Sequence, residues 1–404
     1  MKIGLVCPYN ITLGGGVQEA VRAIQAELEL RGHQVKIVTP EPRSLEAGGD
    51  HKDVIFLGSA ADFKSPLHTT AQISATIDPL EIDRMLYREK FDIMHFHEPW
   101  VPVLSRQILS RSKATNIATF HAKLPENVMS RTITKVVTPY TRSVLKYLHE
   151  LTAVSDAAAE YICELTDRPV SIIPNGINLD HFAKSSVKKD PKTGKTTSIH
   201  IPESAGPTIL YIGRLERRKG VKYLLRAFQA LQENHEDVAL LLAGDGPDRE
   251  KLELLTEELG LRNVHFLGFV SEDEKLRLLH SADLFCAPAI YGESFGIVLL
   301  EALASGLVTV AANNPGYSSV MQGLGGLSLV NPQDTVEFAR RLDLLLREDS
   351  LRAMWRSWAK TYVKQYSYKR VVDQYEQVYK RAMTANAPKR RRIFRAIRKS
   401  SVSS

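Results

Sequence analysis

Gly292-Glu293-Ser294-Phe295-Gly296-Ile297-Val298-Leu299-Leu300-Glu301 sets two carboxylates eight residues apart, with two glycines, a serine and an apolar run around them. The apolar run reads as the opening turns of a buried helix, with Ser294 and Gly296 at its start. The start of a helix offers unpaired backbone N–H groups and the positive end of a dipole, which suits a diphosphate. Glu301 is expected about two turns inside that helix, and Glu293 on the loop before it. One carboxylate then reaches hydroxyls on one side of the phosphates, and the other reaches hydroxyls on the far side. Sugar, diphosphate and ribose in a row is the shape of a nucleotide-sugar.

The same alternation of strand, glycine-bearing loop and helix recurs along the chain and argues for parallel sheets with helices on both faces. The first half opens with a strand at 2–7, the loop Gly14-Gly15-Gly16, and a helix with apolar positions Val17, Val21, Ile24 and Leu28. Further strands are expected at 35–38, 54–57, 93–96, 116–120, 151–154 and 171–173. Residues 184–207 turn polar and lose strand periodicity, which marks a linker. The second half restarts at 208–212 and continues with strands at 238–243, 264–266, 284–287 and 308–311. A helix follows at 371–387, and the sequence leaves open whether it packs back on the first half. Two domains, 1–183 and 208–370, are the expectation for 404 residues.

Composition is that of a soluble globular protein, with 44% hydrophobic and 25% charged residues. Cys7, Cys163 and Cys286 form no C-x-x-C pair and read as reduced thiols of a cytoplasmic protein. No run of eighteen apolar residues exists, and the amino terminus is too short in apolar length for a signal peptide. The net charge of +7 belongs to residues 388–404, which hold seven bases and no acid; the remaining 46 bases equal the 46 acids. With Ile393, Phe394 and Ile397 interleaved, this stretch reads either as a disordered solubilising tail or as one that binds anionic lipid or nucleic acid.

Gly213-Arg214-Leu215-Glu216-Arg217-Arg218-Lys219-Gly220 lies where a strand's carboxyl end faces a crevice. Arg214 can bind a phosphate bidentately and Lys219 supplies a point charge, so together they stabilise a departing diphosphate. Arg217 and Arg218 read as solvated. Gly14-Gly15-Gly16 falls short of the G-x-G-x-x-G fingerprint and reads as a phosphate loop or as a plain flexible one. His121 ends a strand and faces the same kind of crevice. His95 and His97 share a strand face, yet two ligands make no metal site. No Asp-x-Asp occurs in the chain, which removes the usual carboxylate pair that holds a metal on a nucleotide diphosphate. No metal and no cofactor are expected.

Together these pieces resemble the retaining glycosyltransferases of family 4, whose GT-B architecture has two facing Rossmann-like domains about a central cleft. The resemblance rests on Gly15-Gly16, the 213–220 segment, Pro174-Asn175-Gly176 and the E-x7-E element. Val6-Cys7-Pro8-Tyr9, Gly14-Gly15-Gly16-Val17-Gln18, His95-Phe96-His97-Glu98-Pro99, Ala118-Thr119-Phe120-His121 and Cys286-Ala287-Pro288 are similar to the phosphatidylinositol mannosyltransferase branch. The resemblance implies roles. Arg214 and Lys219, with Gly213, would bind the donor diphosphate. Glu293 would hold sugar hydroxyls, helped by backbone N–H groups of Phe295, Gly296, Ile297 and Val298, and Glu301 would bind ribose. Gly15 and Gly16 would close over the diphosphate. His121 would contact the sugar, and Tyr9 and Gln18 the acceptor. It implies transfer of a hexosyl group, mannose from GDP-mannose, with retention and without a metal. The acceptor would be a glycolipid or phosphatidylinositol, at the inner face of the plasma membrane, with no nucleic acid partner. A UDP-sugar donor, a soluble acceptor, or a non-catalytic membrane-binding protein on the same fold are the alternatives. One departure stands out. Lipid-acting relatives carry a basic amphipathic helix in the first domain with an aromatic-polar loop before it, whereas residues 78–85 here are acidic on balance and Gly58-Ser59-Ala60-Ala61-Asp62 replaces that loop.

Overall fold

The computed structural model describes residues 1–42, 52–64, 70–76, 78–123, 138–183 and 206–400; side chains are described for the same residues apart from 60–76 and 387–400. The chain forms two compact units, one of residues 1–176 with 368–404 and one of residues 177–367. The change of unit comes at Gly176, ahead of the expected linker, and residues 177–183 belong to the second unit. Of the 184–207 linker, residues 184–205 lie outside the described residues.

In the first unit β1 (Lys2–Val6), β2 (Gln34–Glu41), β3 (Val54–Lys64), β4 (Thr70–Thr76), β5 (Ile93–His97), β6 (Thr115–Phe120), β7 (Glu150–Ala153) and β8 (Val170–Ile172) form one sheet. Its order is β4-β3-β2-β1-β5-β6-β7-β8. Seven strands run parallel, and β4 pairs antiparallel with β3 at the edge. The order reverses at β1, the switch point at which doubly wound folds open a crevice beyond the carboxyl ends of β1 and β5. The 58–62 stretch, which stands in place of the loop expected from the resemblance, is strand, inside β3.

The first-unit core is built from Ile3, Leu5, Val35, Ile37, Ile93 and Ile117 of the strands, with Val21, Ile24 and Leu28 of the helix Gly16–Leu30. The last helix, Tyr368–Ser400, joins the same core through Val371, Val372, Tyr375, Val378, Tyr379 and Ala382. Those positions recur at helical spacing and give the helix one apolar stripe. It therefore does pack back on the first unit. It is longer than the expected 371–387 segment, and its helical backbone takes in most of the basic stretch that the sequence set apart as a disordered tail.

In the second unit β9 (Thr208–Ile212), β10 (Ala239–Ala243), β11 (Val264–Gly268), β12 (Leu284–Ala287), β13 (Val308–Ala312) and β14 (Leu329–Val330) are all parallel, in the order β11-β10-β9-β12-β13-β14. Here the reversal lies between β9 and β12. The loops after those two strands carry the 213–220 segment and the 292–301 element. Each of β10, β12 and β13 is buried along its whole length, which is why they read as near-continuous apolar runs, interrupted only at Thr309. No helix among the described residues is long and apolar enough to cross a membrane.

Candidate active site

In the second unit, β9 ends at Ile212 and the chain turns through Gly213 and Arg214. The Tyr211 hydroxyl donates to the Arg214 carbonyl at 2.8 Å, and the Leu215 amide donates to the Asp245 carbonyl at 3.0 Å. A single 3-10 turn, Arg217–Lys219, leads to Gly220, whose φ of 70° is left-handed and whose missing Cβ leaves room for the Pro288 carbonyl. Only glycine fits there without strain. This close approach brings the end of β9 against the loop that follows β12, and Lys219 with it against Glu293.

Lys219 Nζ lies 2.8 Å from Glu293 Oε1. Arg218 does not point into solvent as its sequence suggested. Its Nη1 is 2.7 Å from the same Glu293 oxygen, and its Nη2 is 2.7 Å from Glu216 Oε1. Burial works against the Arg218 charge, and Glu293 and Glu216 outweigh it, so its pKa is raised. Two cations thus converge on one carboxylate beside the start of a helix. Tyr211 and Tyr317 line the same place; burial first, then the charge of Glu293, pushes both phenols well above their ordinary range.

The helix after Glu293 runs Ile297–Ala304, with Gly296 as its left-handed cap at φ 107°. The Tyr317 ring packs where a Cβ of residue 296 would stand. Phe295 is buried, edge-on to Tyr366. Ile297 and Val298 open the first turn, whose N–H groups have no acceptor within the helix. Glu301 is the fifth residue of this helix, little more than one turn in rather than two, because the helix starts after Gly296. It is buried, and Lys275 Nζ reaches its Oε1 at 2.8 Å. Lys275 comes from the helix Glu272–Ser281 after β11 and also touches Glu272 at 2.9 Å. Burial opposes its charge, and Glu301 more than restores it.

The remaining predicted residues belong to the first unit. Gly15 and Gly16 form the cap and first residue of the helix Gly16–Leu30. Gln18 folds back so that its amide group occupies the space beside Gly15. Tyr9 follows β1, with its carbonyl accepting from Thr39 Oγ1 at 2.8 Å. Burial, then the charge of Glu98, raises its phenol well above the usual value. His121 follows β6, and its Nε2 is 2.9 Å from Nδ1 of His97. His95 is spent on structure: Nδ1 meets the Tyr379 hydroxyl at 2.8 Å and Nε2 meets Thr119 Oγ1 at 2.7 Å. With both nitrogens engaged it has none left for a metal. No group of three or more metal-ligating side chains occurs among the described residues. Burial lowers His95 to about 3 and His121 to about 4, and depresses His97 as well. These rings are neutral at pH 7.

Sequence reasoning missed three participants, Arg218, Lys275 and Glu98. Glu98 accepts from the amides of both His121 and Ala122 through Oε1. Its place directly after His97, at the end of β5, was the signal that could have found it.

Two family models match the chain: "Glycosyltransferase Family 4" over residues 14–181 and "Glycosyl transferases group 1" over residues 197–362. The phosphatidyl-myo-inositol mannosyltransferase of Mycobacterium leprae is 31% identical over 397 residues, 96% of this chain and 98% of that protein. That of Mycobacterium tuberculosis is 31% identical over 392 residues, 94% and 96% of the two chains. Among solved structures, a sucrose-phosphate synthase from Thermosynechococcus elongatus matches with a TM-score of 0.72 at 20% identity, covering 95% of this chain and 99% of its own. Anabaena HepE in complex with UDP-glucose matches with a TM-score of 0.69 at 17% identity, covering 94% and 99%. At those identities the structures speak for the fold.

Proposed function

The chain belongs to glycosyltransferase family 4, among relatives of the phosphatidyl-myo-inositol mannosyltransferases, and from that premise we propose a specific reaction. The enzyme moves a hexosyl group, mannose from GDP-mannose, to a hydroxyl of a phosphatidylinositol-type glycolipid. The bond from the anomeric carbon to the donor phosphate breaks, and a bond from the same carbon to the acceptor oxygen forms on the same face. The acceptor proton goes to the leaving diphosphate. No divalent ion takes part. The observation that carries this reading is the convergence of Lys219 and Arg218 on Glu293 beside the helix Ile297–Ala304.

In this arrangement the two cations and the first-turn N–H groups stabilise charge growing on the diphosphate, which is the term expected to dominate when chemistry is mostly positioning. Glu293 is held by its cations in one orientation and accepts sugar hydroxyls. Glu301, oriented by Lys275, accepts from ribose. Arg214 adds a further cation at the end of β9. Tyr9, Gln18 and His121, with Gly15 and Gly16, serve the acceptor, the sugar and the phosphates from the first unit. The basic stretch of residues 388–404 supplies contact with an anionic inner leaflet.

A soluble acceptor is the second reading, and one observation favours it. The helix Pro79–Glu89 in the first unit exposes Glu81 and Asp83 against Arg84 and Arg88, after an acidic cap, Asp78, while Glu89 is buried. Such a surface has no net attraction to anionic lipid. Labelled transfer from GDP-mannose or UDP-glucose to phosphatidylinositol vesicles or free myo-inositol, with EDTA or magnesium, separates the readings. Mannosylated lipid formed in EDTA is the expected product. Transfer only from UDP-glucose, only to the free polyol, or only with magnesium would each replace one clause of the proposal. Absence of transfer in every arm would reject it.

A further inference from the structure

Glu98 is fully buried and follows β5 with a left-handed backbone, φ 50°, which a residue with a Cβ adopts only when its surroundings hold it there. Its amide donates to the Thr119 carbonyl at 2.9 Å, and its carbonyl accepts from the Val101 amide at 3.0 Å. The carboxyl group is used unequally. Oε1 takes the amides of His121 and Ala122, so both of its lone pairs are occupied. Oε2 is buried and has no hydrogen-bond partner among the described residues. Among those residues no cation pairs with Glu98 either.

A lone ionised carboxylate in such a place is costly. A neutral acid fits each observation: its carbonyl oxygen accepts twice, and its O–H waits for an acceptor. Burial raises the group to about 8, against the opposing pull of the two amides. The titratable neighbours are Tyr9 and Cys7 from the end of β1, His95 and His97 from β5 and His121 from the end of β6. Each is in its uncharged form near neutrality.

We propose that Glu98 is a neutral carboxylic acid with two tasks: Oε1 fixes the His121–Ala122 backbone, and the Oε2–H donates to an oxygen of the hydroxyl-bearing substrate held beyond β5 and β6. The second task rests on the transfer reaction proposed above, while the neutral state does not. An unpartnered buried O–H is an unstable arrangement by itself, and a substrate hydroxyl or ring oxygen completes it. Glu98 is thus a positioning residue for His121 and a specificity contact for a polyol.

Glutamine reproduces a neutral glutamic acid, with a carbonyl to accept and an N–H to donate, so the full-length E98Q and E98A variants test the idea. In labelled transfer from GDP-mannose at pH 7, E98Q is expected to stay within about threefold of the wild type, and E98A to lose roughly 100-fold in kcat/KM. GDP affinity by calorimetry is unchanged in both. Wild-type activity falls on going from pH 7 to pH 9, and E98Q holds level. E98Q as impaired as E98A, or E98A as active as the wild type, overturns the proposal. An infrared difference spectrum, wild type minus E98Q at pH 6, should contain a protonated-carboxyl band that vanishes by pH 10. Its absence overturns the neutral state even if the wild type transfers nothing. Its presence in an inactive wild type would mean that the transfer reading failed and the neutral acid stands.

Discussion

Replacing Arg218 with alanine is the sharpest perturbation of the second-unit cluster. The guanidinium spans two carboxylates, at 2.7 Å to Glu216 and 2.7 Å to Glu293, and adds a bond of 3.3 Å to the Gly292 carbonyl. Side-chain exposure is 17% for Arg218, 8% for Glu216 and 11% for Glu293, so solvent cannot take over its work. Losing one partner of a buried pair costs about 3–5 kcal/mol. Lys219 remains on Glu293 at 2.8 Å, and the pocket is not fully closed, which brings the expected loss to roughly 2–4 kcal/mol. R218K keeps the charge but not the fork, so it recovers about half. Trp355 and Trp358 belong to the second unit and Trp100 to the first. Urea unfolding followed by tryptophan fluorescence in a W100F background therefore reports this unit alone. A change below about 0.5 kcal/mol, the level of an exposed surface pair, would show that Arg218 is solvated after all. R218K equal to the wild type would show that one point of charge is enough.

Three further outcomes follow from the geometry. His95 and His121, lowered from 6.5 to about 3 and about 4, cost the first unit stability as pH falls below 6.5. Glu98, raised from 4.5 to about 8, contributes stability that is fully present below 4.5 and is lost as pH rises to 8. The first unit should thus be most stable near pH 6.5, with the alkaline decline absent in E98Q; calorimetric melting from pH 4 to pH 9 checks this, and a rise from pH 6.5 to pH 8 would contradict it. G220A forces a Cβ toward the Pro288 carbonyl in a left-handed backbone; at least about 1–3 kcal/mol of second-unit stability and most donor binding should go with it, measured by melting and calorimetry. Y379F leaves His95 Nδ1 without its partner and should cost the first unit about 1–3 kcal/mol, seen in urea unfolding in a W355F/W358F background where Trp100 alone reports, with GDP affinity untouched.

Much of this was legible in the sequence because the central strands of both sheets are parallel and buried. Strands such as Ala239–Ala243 and Val308–Ala312 announce themselves as apolar runs, and the loops that end them carry the glycines and charges. Glu293 and Lys219 could be named, although 74 residues separate them, since both follow strands flanking the switch point. Edge strand Thr70–Thr76 was passed over although Thr-Ala-Gln-Ile-Ser-Ala-Thr alternates polar and apolar, because Ile73 is its one large apolar residue and two alanines make a faint pattern. Arg218 was misread because nothing local distinguishes it from Arg217; its partner Glu293 becomes visible only when Gly220 closes on the Pro288 loop. Lys275 was hidden for a similar reason, since it sits on a polar helix and meets Glu301 only through the fold.

The return of the helix Tyr368–Ser400 to the first unit imposes an order on synthesis. Residues 177–367 are a continuous insertion, so they can complete their own core as soon as they leave the ribosome. The first unit cannot: Val371, Tyr375 and Tyr379 pack with Ile3, Ile37 and the His95–Thr119 contact, and they are translated after the whole of residues 177–367. Until then its amino-terminal sheet waits with one greasy side open, a substrate for chaperones, and a nascent chain stalled before Tyr368 would carry a finished guest inside an unfinished host.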